Sequence, residues 1–220
     1  MTLSVLLGPM LHIPAELPAI ATLGVLTIAT LDAFSWQSRG QTLFLDWVAG
    51  FSPQHRQRIV HHEAGHFLVA QQLGIPVTDY SLSAWEAFQK GFAGLGGVQF
   101  DTEELDRQLS QGQISGQWLD RFAIVWMAGI EAEQLVYGTA EGGADDREKL
   151  RLLLLSLKFS APEIQQRERM AILRAKTFLQ TNWTAYEALV SAMEQRATIA
   201  DCQQILQATL ATPVDSNPGK

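Results

Sequence analysis

A single cysteine, Cys202, leaves this chain of 220 residues without an internal disulfide, and nothing in it points to an oxidising compartment; its helical context assigns the thiol to packing. Basic residues are the minority: 16 Lys and Arg stand against 23 Asp and Glu, a formal net charge of -7. With no basic stripe interleaved with aromatics, nucleic acid is excluded as a partner. There is no G-x-x-x-x-G-K-S/T phosphate loop, and so no ATP-driven motor of that type within the chain. The opening residues lack Lys and Arg and show no clear small-residue cleavage site, so no cleaved signal peptide is expected. No internal repeat is found. Residues 17–36 are largely apolar, but threonines interrupt them, Asp32 lies near their end, and Pro14, Glu16 and Pro18 break the segment before. A spanning helix wants about 20 apolar residues, so this run only just qualifies, with Asp32 tolerated near one end. A membrane anchor and a helix packed on the core or used for oligomerisation are both open readings.

What is present is most informative at His62-Glu63-Ala64-Gly65-His66, an H-E-x-x-H pattern. Side chains at i and i+4 stack on one side of a helix, so both imidazoles can reach one ion while Glu63 falls beside it. The setting is helical. Ser52 followed by Pro53 reads as an N-cap and first helical residue, and Gly74 followed by Pro76 as a stop, bracketing a helix of about five turns. Ile59, His62, His66, Val69 and Leu73 share its inward face, whereas His61 points about 100° away and reads as a surface or supporting residue.

A zinc site of the catalytic kind needs a third protein ligand, and Gly142-Gly143-Ala144-Asp145-Asp146-Arg147-Glu148 offers candidates. At this point the order of parts resembles the peptidase domain of the FtsH-type ATP-dependent zinc metalloproteases. That family has an H-E-A-G-H helix, a Gly-rich edge strand, a G-R-x-A-E-E helix and a T-G-A-S-N-D segment whose aspartate lies on the metal. The corresponding pieces are His62 to His66, then Gly94-Leu95-Gly96-Gly97-Val98-Gln99-Phe100, then Gly129-Ile130-Glu131-Ala132-Glu133-Gln134-Leu135, then Gly142 to Asp146. Residues 198–206 also look like that family's C-terminal helical end, so the likeness covers roughly residues 53–210. Two departures stand out: Ile130 replaces the usual arginine, and Thr-Gly-Ala-Ser is reduced to Glu141-Gly142-Gly143-Ala144.

The resemblance implies Zn2+ held by His62, His66 and Asp146, with Asp145 in the position of the preceding asparagine. The competing reading of Asp145 is a helix cap closed by Glu148. Glu63 is the implied general base, and Gly97, Val98, Gln99 and Phe100 the strand edge along which an extended polypeptide substrate would pair. Glu133 lies among Phe122, Ile124, Val125, Trp126 and Met127; it reads either as the orienter of a metal-bound histidine or as part of a solvated face.

The expected fold is mainly α, a zincin-like helical metallopeptidase domain with a small β-sheet region and a C-terminal helical bundle. Residues 1–50 form an apolar N-terminal extension, 51–211 the peptidase-like domain and 212–220 a flexible tail. Strands are expected at residues 77–82 and 97–100, with a loop or short helix between them carrying Trp85 and Phe88. Residues 102–116 read as a polar, mobile segment beside the cleft. A helix begins near Gln117, another runs through residues 150–157, and amphipathic periodicity continues from Pro162 through Leu173, Phe178, Leu189, Met193 and Ile199. The expected activity is a zinc metalloendopeptidase acting on flexible segments, ATP-independent by itself or served by a separate unfoldase, intracellular and homo-oligomeric. The family is membrane-bound, which favours the anchor reading of residues 17–36. The alternative is a catalytically silent scaffold, as a membrane-associated subunit or otherwise.

Overall fold

In the computed structural model, which describes residues 52–92, 96–112 and 114–211, the first helix starts where Ser52 and Pro53 require it. This is α1 (Pro53–Gln72); the Ser52 hydroxyl accepts from the His55 N–H, and Pro53 fills a first-turn position whose N–H would have no helical partner. Gly74, at φ +69°, turns the chain out of the helix, and the Ile75 N–H closes back onto the Ala70 carbonyl at 2.9 Å.

Two short strands follow, β1 (Val77–Ser81) and β2 (Gly97–Phe100), paired antiparallel with Tyr80 opposite Val98 and a register irregularity between Val77 and Asp79. Between them lies α2 (Ala84–Gln89), which buries Ala84 and Ala87 and leaves Trp85 and Phe88 exposed as a stacked pair. The next stretch differs from expectation. Residues 103–110 form a helix, α3 (Glu103–Ser110), with an acidic first turn, an Arg107–Glu104 ion pair and Leu105 buried beneath. Two leucines four residues apart, Leu105 and Leu109, anchor it to the core, a signal submerged in the polar composition around them.

Five further helices complete the described chain: α4 (Gly116–Tyr137), α5 (Ala144–Ser156), α6 (Ala161–Thr181), α7 (Trp183–Glu194) and α8 (Ile199–Ala211). The described residues thus form a mainly helical fold with one two-stranded sheet, and all belong to a unit that begins at Ser52. Among them no helix is long and apolar enough to cross a membrane. Residues 17–36, expected as an anchor or packed helix, and the expected tail at 212–220 lie outside the described residues.

The centre of the fold is α4, packed against α1 on one side and α6 on the other, with α7 lying on α1 and α8 on α7. Small residues bring α1 and α4 unusually close. A Cβ on Gly65 would lie 2.7 Å from both the Ala128 carbonyl and the Ala132 methyl, so only glycine fits the crossing. On the other side, α6 turns Ile164, Ala171, Ala175 and Leu179 into the core and leaves Leu173 exposed, contrary to the amphipathic face expected from its larger residues. Alanines 171 and 175, one turn apart, are among the residues that α6 buries. Its bulkier Met170 and Leu173 point outward. Cys202 is buried in α8, as its packing assignment requires.

Candidate metal centre

The close α1–α4 crossing sets the site. His62 and His66 project from consecutive turns of α1 directly over Gly129 of α4, where a Cβ would come within 2.5 Å of both Nε2 atoms. Any larger residue at 129 would push the imidazoles apart. The rings face each other edge to face, with centroids 4.7 Å apart.

Each imidazole is oriented through its Nδ1. His66 Nδ1 lies 2.7 Å from the Val125 carbonyl, and His62 Nδ1 lies 2.8 Å from Glu133 Oε1. A carbonyl or ionised carboxylate only accepts, so both Nδ1 atoms carry hydrogen and both Nε2 atoms of the neutral rings are lone pairs. Asp146 Oδ2 completes the group at 3.3 Å from His62 Nε2 and 3.4 Å from His66 Nε2. Three acceptors therefore converge in a buried place, with all ligand atoms within 4.8 Å of one another. Such an arrangement demands positive charge between its members, and the three residues could hold a metal ion.

Without a metal, protons have to meet that demand. Burial works against a charged His62, but the Asp146 and Glu133 carboxylates outweigh it and raise its pKa to about 10. Burial likewise opposes ionisation of Asp146, yet the His66 charge, the two histidine contacts and Lys149 hold its carboxyl well below the usual range. Glu133 is held down to about 2: burial opposes, and the His62 hydrogen bond and the Glu141 and Gly142 N–H groups prevail. Those N–H groups donate to Glu133 Oε2 at 2.9 Å and to Oε1 at 3.1 Å.

The segment bearing Asp146 enters α5 through Gly143, whose φ of +85° is the left-handed conformation that glycine adopts without strain. Gly143 is itself the N-cap residue and no side chain caps the helix, which corrects the reading of Asp145 as the cap. Asp145 lies exposed in the first turn, while Asp146 turns inward and binds Lys149 Nζ through Oδ1 at 3.2 Å.

Glu63 points toward the sheet. Its Oε2 accepts the Val98 N–H at 2.8 Å, and a Cβ on Gly97 would stand 3.0 Å from the same oxygen. Phe100 lies edge-on to His66 with centroids 6.5 Å apart, Val98 is buried and Gln99 is half-buried, so β2 runs alongside the histidines. His61, half-buried on the neighbouring face, has its Nδ1 2.8 Å from the Tyr186 hydroxyl, and burial lowers its pKa.

Sequence reasoning passed over three contributors. The Val125 carbonyl has no side-chain signature. Gly129 could have been suspected as a glycine inside an apolar helix, and Arg58 as the residue one turn before His62. No model of a known protein family matches the chain, and no curated protein matches it.

Proposed function

We propose that the site is the centre of a zinc metalloendopeptidase. The observation that carries the reading is the convergence of His62 Nε2, His66 Nε2 and Asp146 Oδ2, with Glu63 one residue along the same helix. Two imidazole nitrogens and one carboxylate oxygen are donor types that suit zinc. Calcium has longer bonds but takes oxygen donors, and two imidazoles disfavour it. The sequence resemblance to FtsH-type peptidases adds support from the same residues.

When bound, zinc supplies Lewis acidity, stabilising negative charge on a peptide carbonyl and acidifying water. The chain's own residues do the rest. Val98 N–H occupies Glu63 Oε2 and fixes the carboxylate, which leaves Oε1 to take a proton from the attacking water. As the C–N bond breaks, Glu63 returns that proton to the leaving amine. His62 and His66 keep their aim because Glu133 and the Val125 carbonyl hold their Nδ1 hydrogens. An extended substrate segment would lie along Gly97–Phe100, pairing with main-chain groups other than the Val98 N–H. Main-chain pairing makes little demand on sequence and requires a flexible or unfolded segment.

Glu63→Gln tests the reading. The variant should keep zinc and fold while hydrolysis of an unstructured protein such as casein falls by about 10²–10⁴, the usual share of general-base catalysis. Equal hydrolysis by wild type and variant would refute the assignment.

A further inference from the structure

We propose that Arg58 is a positioning residue that ties the two halves of the metal site together, a role that rests on the metallopeptidase reading above. Two ligands, His62 and His66, come from α1, and the third, Asp146, comes from a different part of the chain, after the turn at residues 138–143. A ligand set divided in this way holds its geometry only as well as the two supports are fixed to each other.

Arg58 sits four residues before His62, one turn away on the same face of α1. Its Nη1 donates to Glu133 Oε2 at 3.3 Å and to the Thr139 carbonyl at 3.1 Å. Its Nη2 reaches Thr139 Oγ1 at 3.5 Å and Glu141 Oε1 at 3.3 Å, and the guanidinium lies 4.3 Å over the Tyr137 ring. One planar cation thus grips the carboxylate that orients His62 and the turn that leads to Asp146. Glu133 closes the link from the other side, taking the His62 Nδ1–H and the N–H groups of Glu141 and Gly142.

The grip depends on the shape of arginine. A guanidinium presents five donors in a fixed fork, enough to serve a carboxylate and a carbonyl at once, whereas an ammonium is a compact point charge. No cation comes to Glu133 from α4: position 130 is an isoleucine packed against Gly143. Among the described residues Arg58 is the one Lys or Arg paired with Glu133.

The experiment uses the full chain with Arg58→Met, which keeps the aliphatic bulk, Arg58→Lys, and Arg167→Met as a control that breaks an ion pair to Asp120 away from the site. Zinc affinity is read by chelator competition. In the metal-free proteins, imidazole NMR reads the His62 Nδ1 proton, and hydrogen exchange reads the Glu141 and Gly142 amides. Arg58→Met should weaken zinc binding about tenfold, with Arg58→Lys between it and wild type and Arg167→Met unchanged. The His62 Nδ1 proton should broaden and the two amides should lose protection in Arg58→Met while melting stays cooperative. Wild-type zinc affinity in Arg58→Met with an unchanged Nδ1 proton would overturn the inference, as would an equal loss of affinity in Arg167→Met. If the wild-type chain takes no zinc, the metallopeptidase reading fails by itself, and the Nδ1 proton and amide protection still decide the role of Arg58.

Discussion

Glu131 and Glu133 stand two residues apart on α4, both buried, and the protein treats them in opposite ways. Glu133 receives a histidine N–H, two backbone N–H groups and a guanidinium, which together keep it ionised. Glu131 has one oxygen, Oε2, with no hydrogen-bond partner, and burial pushes its carboxyl up, with Lys176 opposing. Burial alone therefore does not mark a functional carboxylate here. The mark is the set of partners the fold has built around it, and those partners cluster where α1, α4 and the 138–143 turn meet.

The widest separation between the two should appear on removing each side chain. Glu133→Ala removes the acceptor that Arg58, His62 and two amides share, and zinc affinity should fall about 10–100-fold by chelator competition. Glu131→Met, close in shape and apolar, should leave zinc affinity unchanged and stabilise the fold by about 1–3 kcal/mol, the usual cost of a buried polar group without a partner. Denaturant titration checks the second expectation, and a destabilised Glu131→Met would break the comparison.

A smaller effect lies in the pH dependence of stability in the metal-free proteins, where the two carboxylates should slope in opposite directions. Glu133 is depressed from 4.5 to about 2, so its contribution is complete above 4.5 and is lost as pH falls toward 2. The deficit of Glu133→Gln should therefore be full at neutral pH and close in acid. Glu131 is raised above 4.5, so the advantage of its neutral form is complete below 4.5 and is lost as pH rises through the folded value. The gain of Glu131→Met should accordingly widen as pH rises from 4.5. Parallel slopes in the two variants would show that their environments are alike.

Much of this was legible in the sequence wherever local chemistry decides structure. Ser52-Pro53 and Gly74 bracketed α1, the period of four placed His62 and His66 together, and β1 and β2 fell within the segments expected as strands. The expectation failed where tertiary contacts outweigh local pattern. Residues 103–110 looked too polar for a helix because only Leu105 and Leu109 carry its packing. Leu173 looked like core, but the face that α6 buries includes Ala171 and Ala175, which hydrophobic patterning weighs lightly. Asp145 looked like a cap because its residue type favours one; the left-handed turn at Gly143 starts the helix two residues earlier. The Val125 carbonyl and the grip of Arg58 depend on how closely two helices approach, and Gly65 and Gly129, which allow it, are read as helix weaknesses until the crossing is seen.

The central claim, that α1 and α5 together present a three-residue zinc site, is tested most directly by metal content. Purified wild type, Asp145→Ala and Asp146→Ala would be loaded with zinc, dialysed against a weak chelator and measured by elemental analysis. Wild type and Asp145→Ala should each retain about one zinc per chain, and Asp146→Ala should lose most of it. A wild-type chain that retains none, or full retention in Asp146→Ala with loss in Asp145→Ala, would contradict the account.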